Sequence, residues 1–218
     1  MPQLFPPQAN ALARWVIFIV VVGAPFLGVG ATLYLRSDFD TDVNHPIAQP
    51  VPFSHQHHVA GLGLDCRYCH TGVETSAVAG VPPTAVCMTC HSQIWTNAAM
   101  LAPVRQSFAS GKPIAWNQVN RVPDYVFFNH AIHVAKGVAC VTCHGDVDAM
   151  PLMMRAHPMQ MEWCLGCHRD PTPNLSPPEA VFDPEWSPPP DISAIRTALA
   201  AHEKLDQTTM TDCYVCHR

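Results

Sequence analysis

The clearest pattern of hydrophobic and polar positions is an uninterrupted apolar run near the amino terminus. Residues 15–35, WVIFIVVVGAPFLGVGATLYL, contain no charged side chain, and Arg14 and Arg36 flank them. As an α-helix this run is about 31 Å long, close to the ~30 Å hydrocarbon core of a bilayer, and Trp15 and Tyr34 stand where interfacial aromatic residues are expected. The run is longer than the apolar part of a signal peptide, and no small-x-small cleavage site follows it. We therefore predict one transmembrane helix, retained in the mature protein.

Ten cysteines form five copies of Cys-x-x-Cys-His, and no cysteine is left over. Numbered 1 to 5 in chain order, the motifs are Cys66/Cys69/His70, Cys87/Cys90/His91, Cys140/Cys143/His144, Cys164/Cys167/His168 and Cys213/Cys216/His217. This is the attachment signature of c-type haem, in which both thiols add to the vinyl groups and the histidine becomes an axial iron ligand. Zinc sites and redox dithiols also use paired cysteines, but histidine makes up only 13 of 218 residues. A histidine after all five pairs by chance has odds on the order of one in a million, so we predict five covalent haems.

Five haems are a large load for 218 residues, so much of the apolar core must be porphyrin. Proline accounts for 22 residues, and charged residues make up 13% of the chain, against roughly 25% in an ordinary globular protein. We therefore expect a multihaem cytochrome c fold that is mostly irregular, with short α-helices around five covalent haems and one amino-terminal transmembrane helix. Because haem is attached outside the cytoplasm, we expect a single-pass protein of the inner membrane with its haem domain on the periplasmic side.

An internal repeat appears when the histidines before the motifs are included. Phe53-x-His55-x-x-His58 precedes motif 1, and Phe128-x-His130-x-x-His133 precedes motif 3, at an offset of 75 residues. A second motif follows in each copy, which indicates a duplicated two-haem module with a fifth haem appended. The predicted organisation is a cytoplasmic segment 1–14, a transmembrane helix 15–36, a periplasmic tether 37–52, module 1 (53–91), a connector 92–127, module 2 (128–170), a Pro-rich arm 171–190 and a fifth-haem segment 191–218.

Two connecting segments have patterns of their own. In the connector we expect a helix from about Ile94 to Phe108, broken by Pro103 and ending near Gly111. The Pro-rich arm carries eight prolines in 20 residues and is expected to be extended. It could lie across a partner or wrap the domain itself, and the sequence leaves both open.

Five irons need five distal ligands, and the repeat supplies four candidates: His55, His58, His130 and His133. Positions i and i+3 share a helix face, so one histidine of each pair can serve its own module's haem and the other a neighbouring haem. The fifth ligand is assigned to His202, which lies 11 residues before Cys213 as His55 lies 11 before Cys66. The main rival is His157, and the methionines of residues 150–161 are a thioether alternative, although flexible methionines also cover haem edges.

Irons capped on both sides leave no position for a substrate, so electron transfer is the expected function and no catalytic residue is predicted. The formal net charge is −5, and ten haem propionates add to it. Such a surface attracts an electron acceptor with a basic rim, and no nucleic acid partner is expected.

The chain resembles the pentahaem cytochrome subunit of bacterial alternative complex III over nearly its whole length. The resemblance rests on the FSHQHH…CRYCH and FFNHAIH…CVTCHG units, the HPMQMEWCLGCHRD segment and the single amino-terminal anchor. It implies electrons that originate from menaquinol, arrive through an iron–sulfur subunit beside quinol-binding membrane subunits, and leave to a monohaem cytochrome c subunit or a soluble carrier. It also implies that the FxHxxH histidines are distal haem ligands, and it leaves His157 and His202 unassigned.

Two other classes of multihaem protein share some of these features. A membrane-anchored quinol dehydrogenase that feeds periplasmic reductases has the anchor and the haem motifs, but it carries four haems and oxidises quinol itself. A cytochrome bound to a photosynthetic reaction centre typically has methionine distal ligands. The five motifs and the paired histidines disfavour both, and the quinol dehydrogenase is the stronger alternative.

Overall fold

A computed structural model describes residues 6–217, so the first five residues of the predicted cytoplasmic segment and Arg218 lie outside it. The described residues form helices joined by irregular segments. Within this range, β-structure is limited to isolated bridges, which are Pro46–Met154, Val126–His217 and Val138–Leu175. The prediction of a mostly irregular fold with short helices is therefore confirmed.

The chain separates into two compact units, the first ending at Val43 and the second beginning at Asn44. The α-helices of the first unit are Pro7–Phe18, Ala24–Leu35 and Asp38–Thr41, and Ile19–Gly23 is a π-helix. The α-helices of the second unit are Cys66–Cys69, Thr84–His91, Ala102–Ser110, His130–Ala135, Cys140–His144, Met161–Arg169, Ile192–His202 and Cys213–Cys216. Its π-helix is Gln56–Ala60, and its 3₁₀ helices are Ala99–Leu101, Val147–Ala149, Thr172–Asn174 and Pro178–Ala180.

The first unit contains one continuous helical stretch, Gln8–Leu35, with a mean hydropathy of 2.4. By length and composition it can cross a membrane. Its π-helical turn, Ile19–Gly23, stands just before Pro25. A proline ring inside an α-helix clashes with the carbonyl four residues earlier, and a wider turn at this place relieves that clash.

The second unit has a small core of side chains. Leu175 is its largest fully buried side chain, and one compact cluster is formed by Val51, Leu101 and Val104. Cys87, Ile114 and other partly buried residues pack against that cluster. A domain of this size with so few enclosed apolar side chains needs other apolar material in its interior.

The connector differs from the prediction at its start. Its helix begins at Ala102 rather than near Ile94, and Pro103 lies in the first turn instead of breaking the helix. The first turn tolerates proline because its N–H groups have no partner inside the helix. The expected end is confirmed, since Gly111 terminates the helix with a φ of 69°.

The Pro-rich arm lies on the haem domain itself. The Ser176 amide donates to the Gly137 carbonyl at 2.7 Å, and the Cys140 amide donates to the Val181 carbonyl at 3.1 Å. Leu175, Ser176 and Val181 are buried. Of the two placements left open by the sequence, the arm therefore takes the one against its own domain.

Modules 1 and 2 contact each other through equivalent positions. The Ala131 amide donates to the Ser76 carbonyl at 3.1 Å, and the Gln56 amide donates to the Met150 carbonyl at 3.0 Å. Gln56 and Ala131 are equivalent residues in the two copies, and so are Ser76 and Met150. Because each copy gives and receives the same hydrogen bond, the modules are related by a local two-fold axis rather than by a translation.

Candidate haem-binding sites

Every Cys-x-x-Cys pair lies on a helical turn, so its two thiols project from one face. All ten cysteines are free of disulfides. Across residues 6–217, no three Cys, His, Asp or Glu side chains come together as metal ligands. The pairs are therefore placed as two neighbouring thiols, which haem attachment requires.

All five motif histidines have their Nδ1 atom occupied by a neighbour. The contacts are His70 with Gly80 O at 2.6 Å, His91 with Ile94 O at 3.2 Å, His144 with Asn120 Nδ2 at 3.0 Å, His168 with Met210 O at 2.9 Å and His217 with Tyr125 O at 3.2 Å. A hydrogen bond at Nδ1 fixes the tautomer and the ring orientation, and it leaves Nε2 available to a metal. The side chains thus fit the proximal ligand of a haem iron.

In the contact of His144 with Asn120, the partner of Nδ1 is a side-chain amide rather than a carbonyl of the backbone. Asn120 presents its Nδ2 to the ring, while its Oδ1 is buried without a partner. Rotating the amide by half a turn lets Oδ1 accept a hydrogen bond from Nδ1–H, and the shape of the amide hardly changes. That orientation satisfies the buried oxygen and frees Nε2 of His144 for iron.

Three histidines of the FxHxxH segments face a motif histidine. The ring-centroid distances are 6.2 Å for His58–His91, 6.4 Å for His130–His144 and 6.1 Å for His133–His168. Two imidazoles on opposite sides of one iron need a centroid separation of about 6.2 Å, from two bonds of about 2 Å and about 1.1 Å within each ring. The separations therefore suit a metal between the rings.

The phenylalanine of each FxHxxH segment packs on both histidines of that segment. Phe53 stacks on His58 at 4.4 Å and meets His55 edge-on at 5.0 Å. Phe128 has the corresponding contacts with His133 and His130, at 4.6 and 4.7 Å. These packing contacts give the two candidate ligands of each module the same arrangement in both copies.

His55 lies in a cluster of histidines from both modules. Its pKa is lowered to about 4, chiefly by burial and in smaller part by the neighbouring His70, His58 and His144. Burial likewise lowers the pKa of His144 to about 4, with His130 as the next contributor. Both rings are therefore neutral at physiological pH, which is the form that binds a metal.

The four motifs of the two modules adjoin one another in the order 2, 1, 3, 4. Tyr68 Oη of motif 1 lies 3.0 Å from Thr89 Oγ1 of motif 2. Across the two-fold axis, the Cys66 thiol lies next to that of Cys140 and raises the pKa of Cys140. Motifs 3 and 4 are joined through the His130–Ala135 helix, whose histidines face one motif each.

Motif 5 extends this row beyond motif 4. His168 of motif 4 donates to the carbonyl of Met210, just before motif 5, and the Phe127 amide donates to the Cys216 carbonyl at 2.8 Å. The five motifs thus form a row whose spatial order, 2–1–3–4–5, differs from their order in the sequence.

Two of the ten predicted haem-attaching cysteines differ from the others in exposure. Cys90 of motif 2 and Cys213 of motif 5 are exposed, whereas the other eight are partly buried. Near the end of the helix Thr84–His91, the Cys90 thiol accepts a long contact from the Thr89 hydroxyl at 3.8 Å. These two cysteines are therefore more open to solvent than the other eight. Their motifs stand at the ends of the row, where a neighbouring motif covers one side only, and attachment of haem by Cys90 stays a prediction from its motif.

The fifth distal position stays a prediction. His202 ends the helix Ile192–His202 with its side chain 82% exposed, and its Nδ1 lies 3.2 Å from Glu203 Oε1. His157 stacks on Trp163 at 5.2 Å. The structure therefore brings neither histidine opposite His217, whose ring lies 5.8 Å from that of Tyr125.

Sequence reasoning missed the groups that hold the Nδ1 atoms. With the carbonyls of Ser54, Ala77 and Asn129, which contact Nδ1 of His58, His130 and His133, there are eight such groups. Five of the eight stand more than five residues away along the chain from their histidine, and most are backbone carbonyls, which any residue type supplies. Asn120 is the one side chain among them, and nothing in its local sequence marks it.

Two comparisons with known proteins agree with this geometry. Residues 126–218 match the family of cytochrome c7 and related cytochrome c. A second similarity is to the menaquinone reductase, multihaem cytochrome c subunit, of Nitratidesulfovibrio vulgaris, with 36% identity over 123 residues. The match covers 56% of this chain and 52% of the relative, so the chain spans about half the length of the curated relative it matches.

The similarities and the sites point to the same cofactor. Paired thiols, histidines with an occupied Nδ1, and facing imidazoles all fit covalent haem c. Together these findings show a cytochrome c7-like multihaem fold, with residues 126–218 similar to the family of cytochrome c7 and related cytochrome c.

Proposed function

We propose that this chain holds five haems and is the electron-transfer subunit of a quinol-oxidising complex. The facing imidazole pairs carry the proposal, because an iron between two histidines has no position for a substrate. In each site the two thiols hold the haem by thioether bonds and the motif histidine is the proximal ligand. The distal ligand of haem 1 is His55 and that of haem 2 is His58. The distal ligand of haem 3 is His130 and that of haem 4 is His133.

The haem supplies an iron that alternates between the ferric and ferrous states. The paired histidines would hold that iron on both sides, and their hydrogen bonds fix the orientation of the rings. The carbonyls of Ser54 and Asn129 accept from Nδ1 of His58 and His133, at 2.8 and 2.7 Å. These hydrogen bonds make the imidazoles more basic and so favour the ferric state. The chain itself is not an enzyme in this proposal.

The proposed partners follow from the resemblance described above. Electrons come from menaquinol at quinol-binding membrane subunits, pass through an iron–sulfur subunit, and leave for a monohaem cytochrome c subunit or a soluble periplasmic carrier. The similar subunit of a menaquinone reductase supports a quinone-linked complex. The name of that relative describes menaquinone as the electron acceptor. In a row of haems, the reduction potentials of the partners set the direction in which electrons flow.

The proposed location is the inner membrane, with Gln8–Leu35 as a single anchor and the second unit in the periplasm. The length and hydropathy of that helix support an anchor. The side of the membrane is supported by the haem motifs, because thioether attachment takes place outside the cytoplasm.

The test is reduction by menaquinol, followed by haem absorbance. The intact complex should be reduced by a menaquinol analogue. The purified single subunit should be reduced by dithionite but not by the analogue. Quinol oxidation needs a proton acceptor within hydrogen-bond reach of the quinol ring, and in this proposal the partner subunits supply it.

A different outcome would support the alternative, a membrane-anchored multihaem quinol dehydrogenase that feeds a periplasmic reductase. In that case the single subunit would be reduced rapidly by the analogue. Loss of that reduction in a variant with Asp38, Asp40 and Asp42 all changed to Asn would place the proton acceptor after the anchor helix.

A further inference from the structure

Motif 5 lies at one end of the row of motifs and is open to solvent. Cys213 is exposed, and Tyr214 within the same motif is 65% exposed. Tyr125, whose ring lies 5.8 Å from that of His217, is also 65% exposed. A haem attached here therefore has its thioether edge close to the surface, with two aromatic side chains beside it.

Acidic side chains stand next to these aromatic rings. Asp212 lies beside the Tyr214 hydroxyl and raises the pKa of Tyr214, and Asp206 adds to this effect through its charge. Hydrogen bonds from Thr208 fix the Asp206 carboxylate and lower its pKa. Both aspartates are exposed and therefore present negative charge to a partner at neutral pH.

Other charged side chains stand in the segments next to Tyr125 and Tyr214. Asp124 stands beside Tyr125 with its side chain 92% exposed, and Arg121 lies 3.4 Å from it. Lys204 is exposed on the turn before Asp206. Arg218, which follows motif 5, lies outside the described residues. Among the residues that are described, three carboxylates and two cations border the aromatic pair.

The opposite end of the row has a different surface. Residues 75–104, which include motif 2 with its exposed Cys90, contain no charged side chain. Ile94 and Trp95 beside motif 2 are 57% and 56% exposed. Charge attracts a diffusing partner and sets its orientation. At motif 5 charged side chains stand next to exposed aromatic rings, whereas the segment that carries motif 2 has none of its own.

We propose that Tyr125, Tyr214, Asp206 and Asp212 form the docking surface for a mobile redox protein with a positively charged rim. This inference rests on the proposed electron-transfer function and assigns the exposed end at motif 5 to the diffusible partner. The aspartates steer the partner by charge, and the tyrosines pack against the apolar surface around its cofactor. An electron then passes between the two cofactors, so that one is oxidised as the other is reduced.

The test is a binding measurement on the full-length, haem-loaded protein in detergent. The probe is a strongly basic monohaem c-type cytochrome, titrated at ionic strengths of about 0.02 M and 0.2 M. At low salt, changing Asp206 and Asp212 to Asn should weaken binding about three- to tenfold, and high salt should remove most of the difference. Tyr214→Ala should weaken binding about tenfold at both salt concentrations.

The matched control changes two exposed carboxylates elsewhere, Asp183→Asn together with Glu185→Gln. It removes the same formal charge and should leave the affinity within about twofold of the unchanged protein. An equal loss in both double variants would overturn the proposal, because net charge alone would then account for binding. Unchanged affinity in the Asp206 and Asp212 variant would overturn it as well, and so would self-association that depends on these residues.

The outcome separates this inference from the proposed function. If the intact complex is still reduced by menaquinol while the docking variants bind normally, the docking surface is wrong and the electron-transfer function stands. If the complex is not reduced by menaquinol, the proposed function fails whatever the affinities are.

Discussion

At the residue scale, the histidines divide by what holds their Nδ1 atom. Those of the motifs, and His58, His130 and His133, are held by carbonyls or by Asn120, whereas His57 is exposed and stacks on Trp95 at 5.9 Å. The duplicated spacing predicts the four FxHxxH histidines as distal ligands, because a repeat preserves what each copy binds, and that assignment stays a prediction. The tautomer partners depend on tertiary contacts and could not be read from spacing.

Replacing His133 by Ala should leave one iron five-coordinate, because the ring faces His168 at 6.1 Å. The variant should keep its covalent haems and gain a high-spin signal in electron paramagnetic resonance, together with binding of carbon monoxide. His57→Ala is the control and should stay low-spin. A low-spin spectrum for His133→Ala, or a high-spin one for His57→Ala, would refute the ligand assignment.

The fifth distal ligand calls for a separate comparison of His202→Ala with His157→Ala. The sequence offset predicts that the His202 variant alone becomes high-spin at motif 5. In the structure His202 contacts Glu203, so ligation requires the ring to leave that carboxylate. If His202→Ala keeps every haem low-spin while His157→Ala does not, the rival assignment is the correct one.

At the scale of elements, the repeat tolerates a difference of one residue between its copies. Eight positions separate His58 from Cys66, and seven separate His133 from Cys140. The longer copy has the π-helix Gln56–Ala60 where the shorter has the α-helix His130–Ala135. A π-helical turn takes up one extra residue, so the insertion is absorbed and both histidines keep their facing partners. The sequence showed the length difference, but the way in which a helix absorbs it depends on tertiary packing.

Gly137 joins module 2 to the Pro-rich arm, and its substitution tests that junction. Its φ is +78°, and a Cβ would lie 2.6 Å from the Ser176 carbonyl oxygen. Gly137→Ala should lower the free energy of unfolding by about 3 kcal/mol, from backbone strain and the displaced arm. Gly111→Ala is the matched control, since its φ is +69° with open space around the site, and it should lose about 1 kcal/mol.

Thermal unfolding of the two haem-loaded glycine variants provides the measurement. Gly137→Ala should unfold at a clearly lower temperature than Gly111→Ala. Equal midpoints would mean that the arm yields without loss and that its contacts with Gly137 contribute little.

The apolar helix predicts how the protein partitions. The full chain should stay in the membrane fraction at high salt and be released by detergent, because the helix Gln8–Leu35 contains the uncharged apolar run 15–35. A chain that begins at Asn44, the first residue of the second unit, should be soluble and carry haem when a cleavable signal is supplied. Amino-terminal sequencing of the native protein that starts beyond residue 35 would contradict an anchor.

At the scale of the whole molecule, the expectation that porphyrin forms much of the core agrees with how few side chains are enclosed. Composition and the motif count predicted the architecture for that reason, since attachment sites dominate the fold. The spatial order of the motifs could not be predicted, because it depends on which copy faces which across the two-fold axis. The exposure of Cys90 and Cys213 follows from that order, so the sequence could not show it either.

The number of haems is tested by intact mass. All ten cysteines belong to the five motifs, so the mature protein should exceed its polypeptide mass by five haems. Alkylation of the denatured protein should detect no free thiol. A mass with four haems or fewer would show that one motif is not used.

The two-fold relation between the modules bears on how such a chain can originate. A contact in which two identical surfaces meet is the contact of a homodimer, and here it lies inside one polypeptide. A separate two-haem ancestor with this surface would pair with a second copy of itself, and gene fusion would make that pairing permanent. In a dimer of identical copies the two ends are identical in sequence. After fusion each copy can mutate independently, so the two ends can become different. Residues 191–218 are added to one side only, and that asymmetry lets natural selection favour a different neighbour at either extremity.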